Sequence, residues 1–373
     1  MNIHKRNAEL KILSTIGELK IERTVLNNRS ENINIIPLDE YLKLDKLEFK
    51  VTKKMMLKIG YYAQNQISYE ATARLFKEEF GIEISGKQVE KITKYIGKII
   101  FEEDTKKAEE VYENILTSIP EKEIKEKEKK ILYIMTDGAA VNTRIEDENG
   151  STWKENKTVM VFTDKDLITR KDGSKLIINK EYAAFIGSAE EFKKYVLNVA
   201  IKAGYGTVTD VVIIADGATW IRTMCNEIFP DAVQILDLFH LKENIYSYAK
   251  YLFKESEAEY TKWAEIIIDK IVKGNIEDVL NMIPEKKDKL PAGVVNLKGY
   301  IQNNIDKINY SKYKANGYYI GSGPIESANK LILQRRLKQA GMRWSVEGAQ
   351  YMLTLRAKVE SNLWNDVKQR ICA

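Results

Sequence analysis

Apolar and polar positions change their period along this chain, and the changes mark its elements. Over residues 10–44 short alternating runs, LKIERTVL and NINIIPL, predict a small β element. From 47 to 80 the apolar positions recur at helical spacing, first Met56, Ile59 and Ala63, then Ala71, Leu75 and Phe76. Gly81 stops that pattern, and Ser85 followed by Gln88 is the capping-box signature that starts a second helix, GKQVEKITKYIGKII. Helix, glycine-containing turn and helix together predict a helix-turn-helix-like region.

Further on the period shortens to that of strands. KILYIMT leads into Asp137, KTVMVFTD follows, and KLIINKEYAAFIG is a weaker run. SAEEFKKYVLNVAIKAG is an amphipathic helix, DVVIIA leads into Asp216, a helix lies around 220–228, and DAVQIL leads into Asp237. The continuous apolar character of ILYIM and VVIIA predicts strands covered on both faces. Three strands, a helix, a strand, a helix and a strand give an α/β order matching a ribonuclease-H-like mixed sheet. The expected division is a small β-rich segment at 1–46, a helical DNA-binding region at 47–120, a charged spacer at 121–130 (EKEIKEKEKK) and a catalytic domain at 131–373.

Composition narrows the class. The chain has 373 residues, 44% of them hydrophobic, enough for a substantial core, and its 59 Lys and Arg against 54 Asp and Glu leave a formal charge of +5. So mild an excess names no partner, and local clusters matter more. Two cysteines, Cys225 and Cys372, build neither a disulfide framework nor a cysteine-rich zinc site, which points to a reducing, cytoplasmic location. No apolar run reaches the roughly 18–20 residues that cross a bilayer, so no membrane partner is expected.

The candidate chemistry sits where apolar runs meet Asp-Gly. YIMTDG places Asp137 and VIIADG places Asp216 after strands that would be neighbours, so two carboxylates would share one sheet edge. Paired carboxylates repel unless a cation lies between them, and oxygen donors without a cysteine cluster favour Mg²⁺ or Mn²⁺, two ions in the phosphodiester-cleaving arrangement. Gly138 and Gly217 would let a substrate backbone approach. Read alone, the two aspartates are equally ordinary turn residues. A third acid is either Glu243, in DLFHLKEN, or Glu326, in GSGPIESANK, where Pro324 opens a helix whose dipole holds a first-turn carboxylate. Asp237 and His240 stand one helical turn apart and read as a structural or auxiliary pair. Lys87, Lys91 and Lys94 share the polar side of the second N-terminal helix; Asn329, Lys330, Arg335, Arg336, Lys338, Arg343 and Trp344 follow Glu326. Arg and Lys suit phosphates and Trp suits an unpaired base, although a plain solvated or basic helix accounts for the same residues.

IMTDGAAVNTR, VIIADGATWI, LDLFHLKENI and GSGPIESANKLILQRRLKQAGMRWSVEGAQYMLTLRA resemble the DDE transposases of the ISLre type, encoded by insertion sequences and related to the Mutator-like group. The resemblance runs from about Lys130 onward and more loosely through the helix-turn-helix-like segment. It implies an enzyme that cuts transposon ends and joins the 3′-hydroxyl to target DNA, with Asp137, Asp216 and Glu326 as metal-ligating acids. It also implies the Asp-x-x-His element at Asp237 and His240, an all-helical insertion at about 245–315, and action as a homodimer or higher homo-oligomer on DNA. The alternatives are a non-catalytic DNA-binding relic or repressor and a structure-specific nuclease of the same fold.

Overall fold

The computed structural model of the protein describes residues 2–28, 33–117, 128–254, 256–284, 290–321 and 323–372. The chain opens with strands β1 (Asn2–Ser14), β2 (Gly17–Asn28) and β3 (Ile33–Ile35), then helices α1 (Pro37–Leu42), α2 (Lys53–Asn65), α3 (Tyr69–Phe80) and α4 (Gly86–Thr117). Strands β4 (Glu128–Asn142), β5 (Trp153–Thr163), β6 (Leu167–Thr169), β7 (Lys175–Ile177) and β8 (Glu181–Ile186) precede α5 (Ala189–Lys202), β9 (Val208–Ala215), α6 (Thr219–Ile228) and β10 (Val233–Leu236). Helices follow: α7 (Leu238–Phe253), α8 (Glu257–Lys273), α9 (Ile276–Met282), α10 (Leu297–Asn303), α11 (Tyr310–Ala315), α12 (Gly323–Asn329), α13 (Arg335–Leu337), α14 (Val346–Glu360) and α15 (Trp364–Cys372). Most of the expected charged spacer, 121–127, lies outside the described residues, and 128–130 begin β4.

These elements form two compact units: Met1–Lys106 with Val141–Trp153 and Ile332–Ala373, and Lys107–Ala140 with Lys154–Leu331. The final helices therefore belong with the N-terminal region, not with the sheet as the expected 131–373 boundary had it. In the first unit β1 and β2 pair antiparallel, and Met55, Ile59, Phe76, Ile92 and Ile96 form a core with Leu355, Val367 and Ile371. The apolar spacing at 47–80 is divided between α2 and α3, because Thr52 and Ser68 each cap a separate helix through the backbone N–H three residues on. Cations in the last helices are paired: buried Arg356 donates to Gln64 Oε1 at 2.9 Å, and buried Lys358 and half-buried Arg370 reach Asp104 at 2.9 and 2.8 Å. Pairing offsets the desolvation that burial imposes on such charges.

The second unit is built on a five-stranded mixed sheet of order β10-β9-β4-β5-β8. β9 runs parallel to both β4 and β10, and β5 is antiparallel to β8. Leu132, Ile134, Val159 and Val161 pack with Phe192 and Val196 of α5 and Ile221 and Met224 of α6. Tyr133 and Met135, pointing the other way, are buried as well. Both faces of β4 are thus covered, as its unbroken apolar run requires. The weak run at 175–187 splits into β7, which pairs only with β6, and β8 at the sheet edge. Helices occupy most of the described part of 245–315, and no helix among the described residues is long and apolar enough to cross a membrane.

Candidate functional site

Three parallel strands carry an aspartate to the same edge of the sheet. Met135 pairs with Ile214 and Ala215 pairs with Leu236, so the register carried forward sets Asp137 beside Asp216 and Asp216 beside Asp237. The Asp237 N–H donates to the Ala215 carbonyl at 2.7 Å, which holds that register past the end of β10. Neighbouring strands lie about 4.8 Å apart, so the row concentrates negative charge.

Asp137 does not end its strand. β4 continues to Asn142, outrunning β9, which stops at Ala215. The half-buried Asp137 accepts the Gly138 N–H at 2.7 Å on Oδ1 and the Asn329 side-chain amide at 2.6 Å on Oδ2. Burial raises its pKa above the ordinary carboxylate value and the Asp216 charge adds to the rise, while the Gly138 N–H, His240 and Asn329 oppose it. Asp216 closes a turn by accepting the Ala218 N–H at 2.9 Å on Oδ1, and its carbonyl accepts the Tyr300 hydroxyl at 3.0 Å. Gly217 makes that turn at φ +85°, and a Cβ there would stand 2.8 Å from Leu236 Cδ1. A Cβ on Gly138 would stand 2.5 Å from Glu155 Oε1. Gly217 is thus fixed by its left-handed backbone and by Leu236, whereas the neighbour of Gly138 is the mobile end of the Glu155 side chain.

Asp237 is buried and caps α7, accepting the Phe239 N–H at 2.9 Å. His240, one turn on, has Nε2 3.7 Å from Asp237 Oδ2 and Nδ1 3.1 Å from Glu243 Oε2. Glu243 thus serves His240, a link that its spacing of three from His240 could have disclosed. Glu326 lies half-buried in the first turn of α12, and Asn329, which grips Asp137, is the next residue on that helix face. One helix therefore brings Glu326 toward the aspartate row. Among the described residues no trio of Asp, Glu, His or Cys is closed tightly enough to hold a metal ion.

Of the residues read as DNA contacts, Lys87, Lys91, Lys330, Arg335, Lys338 and Arg343 are exposed. Lys94 is tied to Glu90 at 2.5 Å. Asn329 is 4% exposed and is occupied with Asp137. Arg336 and Trp344 are buried, with the guanidinium 5.0 Å from the indole ring, so neither lies on an open surface and Trp344 is not a free stacking platform. Sequence missed Lys157, a buried cation that reaches the Gly187 carbonyl at 2.9 Å and, at 2.5 Å, Glu155, whose carboxylate stands beside Gly138.

The model of an uncharacterised protein family, UPF0236, matches residues 3–370, nearly the whole chain, and the protein belongs to that family. No curated protein matches it.

Proposed function

We propose that this member of UPF0236 is a DNA transposase of the DDE kind, carrying a ribonuclease-H-like catalytic unit that cuts element ends and transfers the 3′-hydroxyl strands to target DNA. The observation that supports it most is the in-register pair Asp137 and Asp216 on adjacent parallel strands, with Asn329 tying the helix of Glu326 onto Asp137. The donor chemistry fits a hard divalent cation: like-charged carboxylates crowd one edge, and the buried Asn329 Oδ1 beside them has no hydrogen-bond partner among the described residues. Asp137, Asp216 and Glu326 would hold Mg²⁺ or Mn²⁺, which when bound supplies charge stabilisation to the attacking and leaving oxygens of phosphodiester transfer.

The chain's own residues divide the remaining work. Asn329 fixes the Asp137 carboxylate, and the turn closed on Asp216 fixes the second acid. Asp237 and Glu243 flank His240 and hold its ring near Asp137. The exposed Lys87, Lys91, Lys330, Arg335, Lys338 and Arg343 would neutralise DNA phosphates, and the two element ends would call for paired protomers. The test incubates purified protein with labelled flanking ends and a target plasmid in Mg²⁺, Mn²⁺ or EDTA. Metal-dependent cutting and joining is the expected outcome; hydrolysis without joining would mean a nuclease. The open arrangement of the three acids favours a second reading, a DNA-binding protein without chemistry, which end binding without any cutting would establish.

A further inference from the structure

The first unit contains a pocket of about 300 Å³ whose lining carries Lys94, Arg144, Arg336 and Arg343 against Glu70 and Glu90. Glu90 is committed to Lys94, which leaves three arginines facing one carboxylate. Arg144 and Arg343 are exposed, and neither has a side-chain partner among the described residues.

Two more donors stand buried in the wall. Arg336 is 1% exposed; its Nε donates to the Ala63 carbonyl at 3.0 Å and Nη1 to the Ile67 carbonyl at 3.4 Å, while Nη2 has no partner among the described residues. The Tyr69 hydroxyl beside it is likewise buried and unmatched. Buried donors left unmade are destabilising and rare, and two at one pocket point to an acceptor that arrives from outside. The first turns of α3 and α14 also border the pocket through their caps Ser68 and Ser345, and helix N-termini favour negative charge.

The aromatic groups narrow the ligand further. The Arg336 guanidinium lies 4.6 Å from the Tyr69 ring and 5.0 Å from the Trp344 ring, so it already occupies the cation-binding surface of both. The uncommitted groups are hydrogen-bond donors, and the complementary ligand is an anion with several oxygens.

We propose that this pocket binds a phosphate group. Resting on the transposase reading, the source is a backbone phosphate of DNA; the other source of the same chemistry is a free phosphate compound.

Fluorescence anisotropy of a labelled duplex in EDTA, titrated over salt, compares the parent, Arg144→Ala/Arg343→Ala and the charge-matched Lys262→Ala/Lys312→Ala. A parallel arm follows melting temperature with pyrophosphate. The pocket variant is expected to bind DNA at least about tenfold more weakly than the control, with a slope of log affinity on log salt smaller by about two. Equal DNA affinities and slopes, together with equal pyrophosphate responses, would overturn the phosphate pocket and leave the transposase reading to its cleavage assay. Equal DNA binding with a pyrophosphate shift missing only in the pocket variant would assign the pocket to a free phosphate compound. A parent that binds no DNA would remove the DNA source together with the transposase reading, and the pyrophosphate arm would then decide the pocket.

Discussion

Asp216→Asn removes one charge from the aspartate row and retains the turn, since an asparagine Oδ1 accepts the Ala218 N–H as the carboxylate does. Two charges about 4.8 Å apart at an effective dielectric of about 20 repel by about 3.5 kcal/mol. Both carboxylates are only half-buried, and solvent screening reduces this to about 1–2 kcal/mol. In EDTA the variant is therefore expected to melt about 1–3 °C above the parent. Adding Mg²⁺ at 100 times its dissociation constant should raise the parent by about 2.7 kcal/mol of stability and leave the variant nearly unmoved. Burial and Asp216 raise the Asp137 pKa, so the native state takes up a proton more readily than the unfolded chain, and stability is lost as pH rises through the raised pKa. The advantage of the variant should accordingly shrink on acidification. Differential scanning fluorimetry at several pH values reads all three effects. A variant that melts at or below the parent in EDTA while keeping the full metal response would show that Asp216 neither repels Asp137 nor holds the metal.

Gly217→Ala should destabilise by about 1–3 kcal/mol, because it combines a left-handed backbone with a Cβ pressed on Leu236; chemical denaturation unaffected by the change would contradict this. Thiol titration with Ellman's reagent should count one cysteine in the native protein and two after denaturation. Cys372 is exposed, whereas burial pushes the Cys225 thiol up to about 12 against a smaller opposing effect of Lys307. Two fast native thiols would show that Cys225 is accessible.

The strands at the site were legible because burial on both faces leaves an unbroken apolar signature, as in ILYIM and VVIIA. The course of β4 beyond Asp137 was not, since GAAVN carries no such signature and its extension depends on outrunning β9. Asn329 has the spacing from Glu326 that predicts a shared helix face, yet only the fold discloses that this face meets Asp137. Basic and aromatic residues at 334–344 suggested a nucleic-acid surface; local composition does not distinguish the exposed Arg335 from the buried Arg336, whose stacking on Tyr69 and Trp344 is set by distant packing. The same holds for α14 and α15, whose partners lie at the other end of the chain.

Whether Glu326 completes a metal-dependent site with Asp137 and Asp216 is decided by comparing Glu326→Gln and Glu243→Gln for Mn²⁺-dependent cleavage of labelled element ends at equal DNA binding. Cleavage is expected to fall to background in Glu326→Gln and to persist, reduced, in Glu243→Gln. Full cleavage by Glu326→Gln with loss in Glu243→Gln would contradict this and move the third acid to α7.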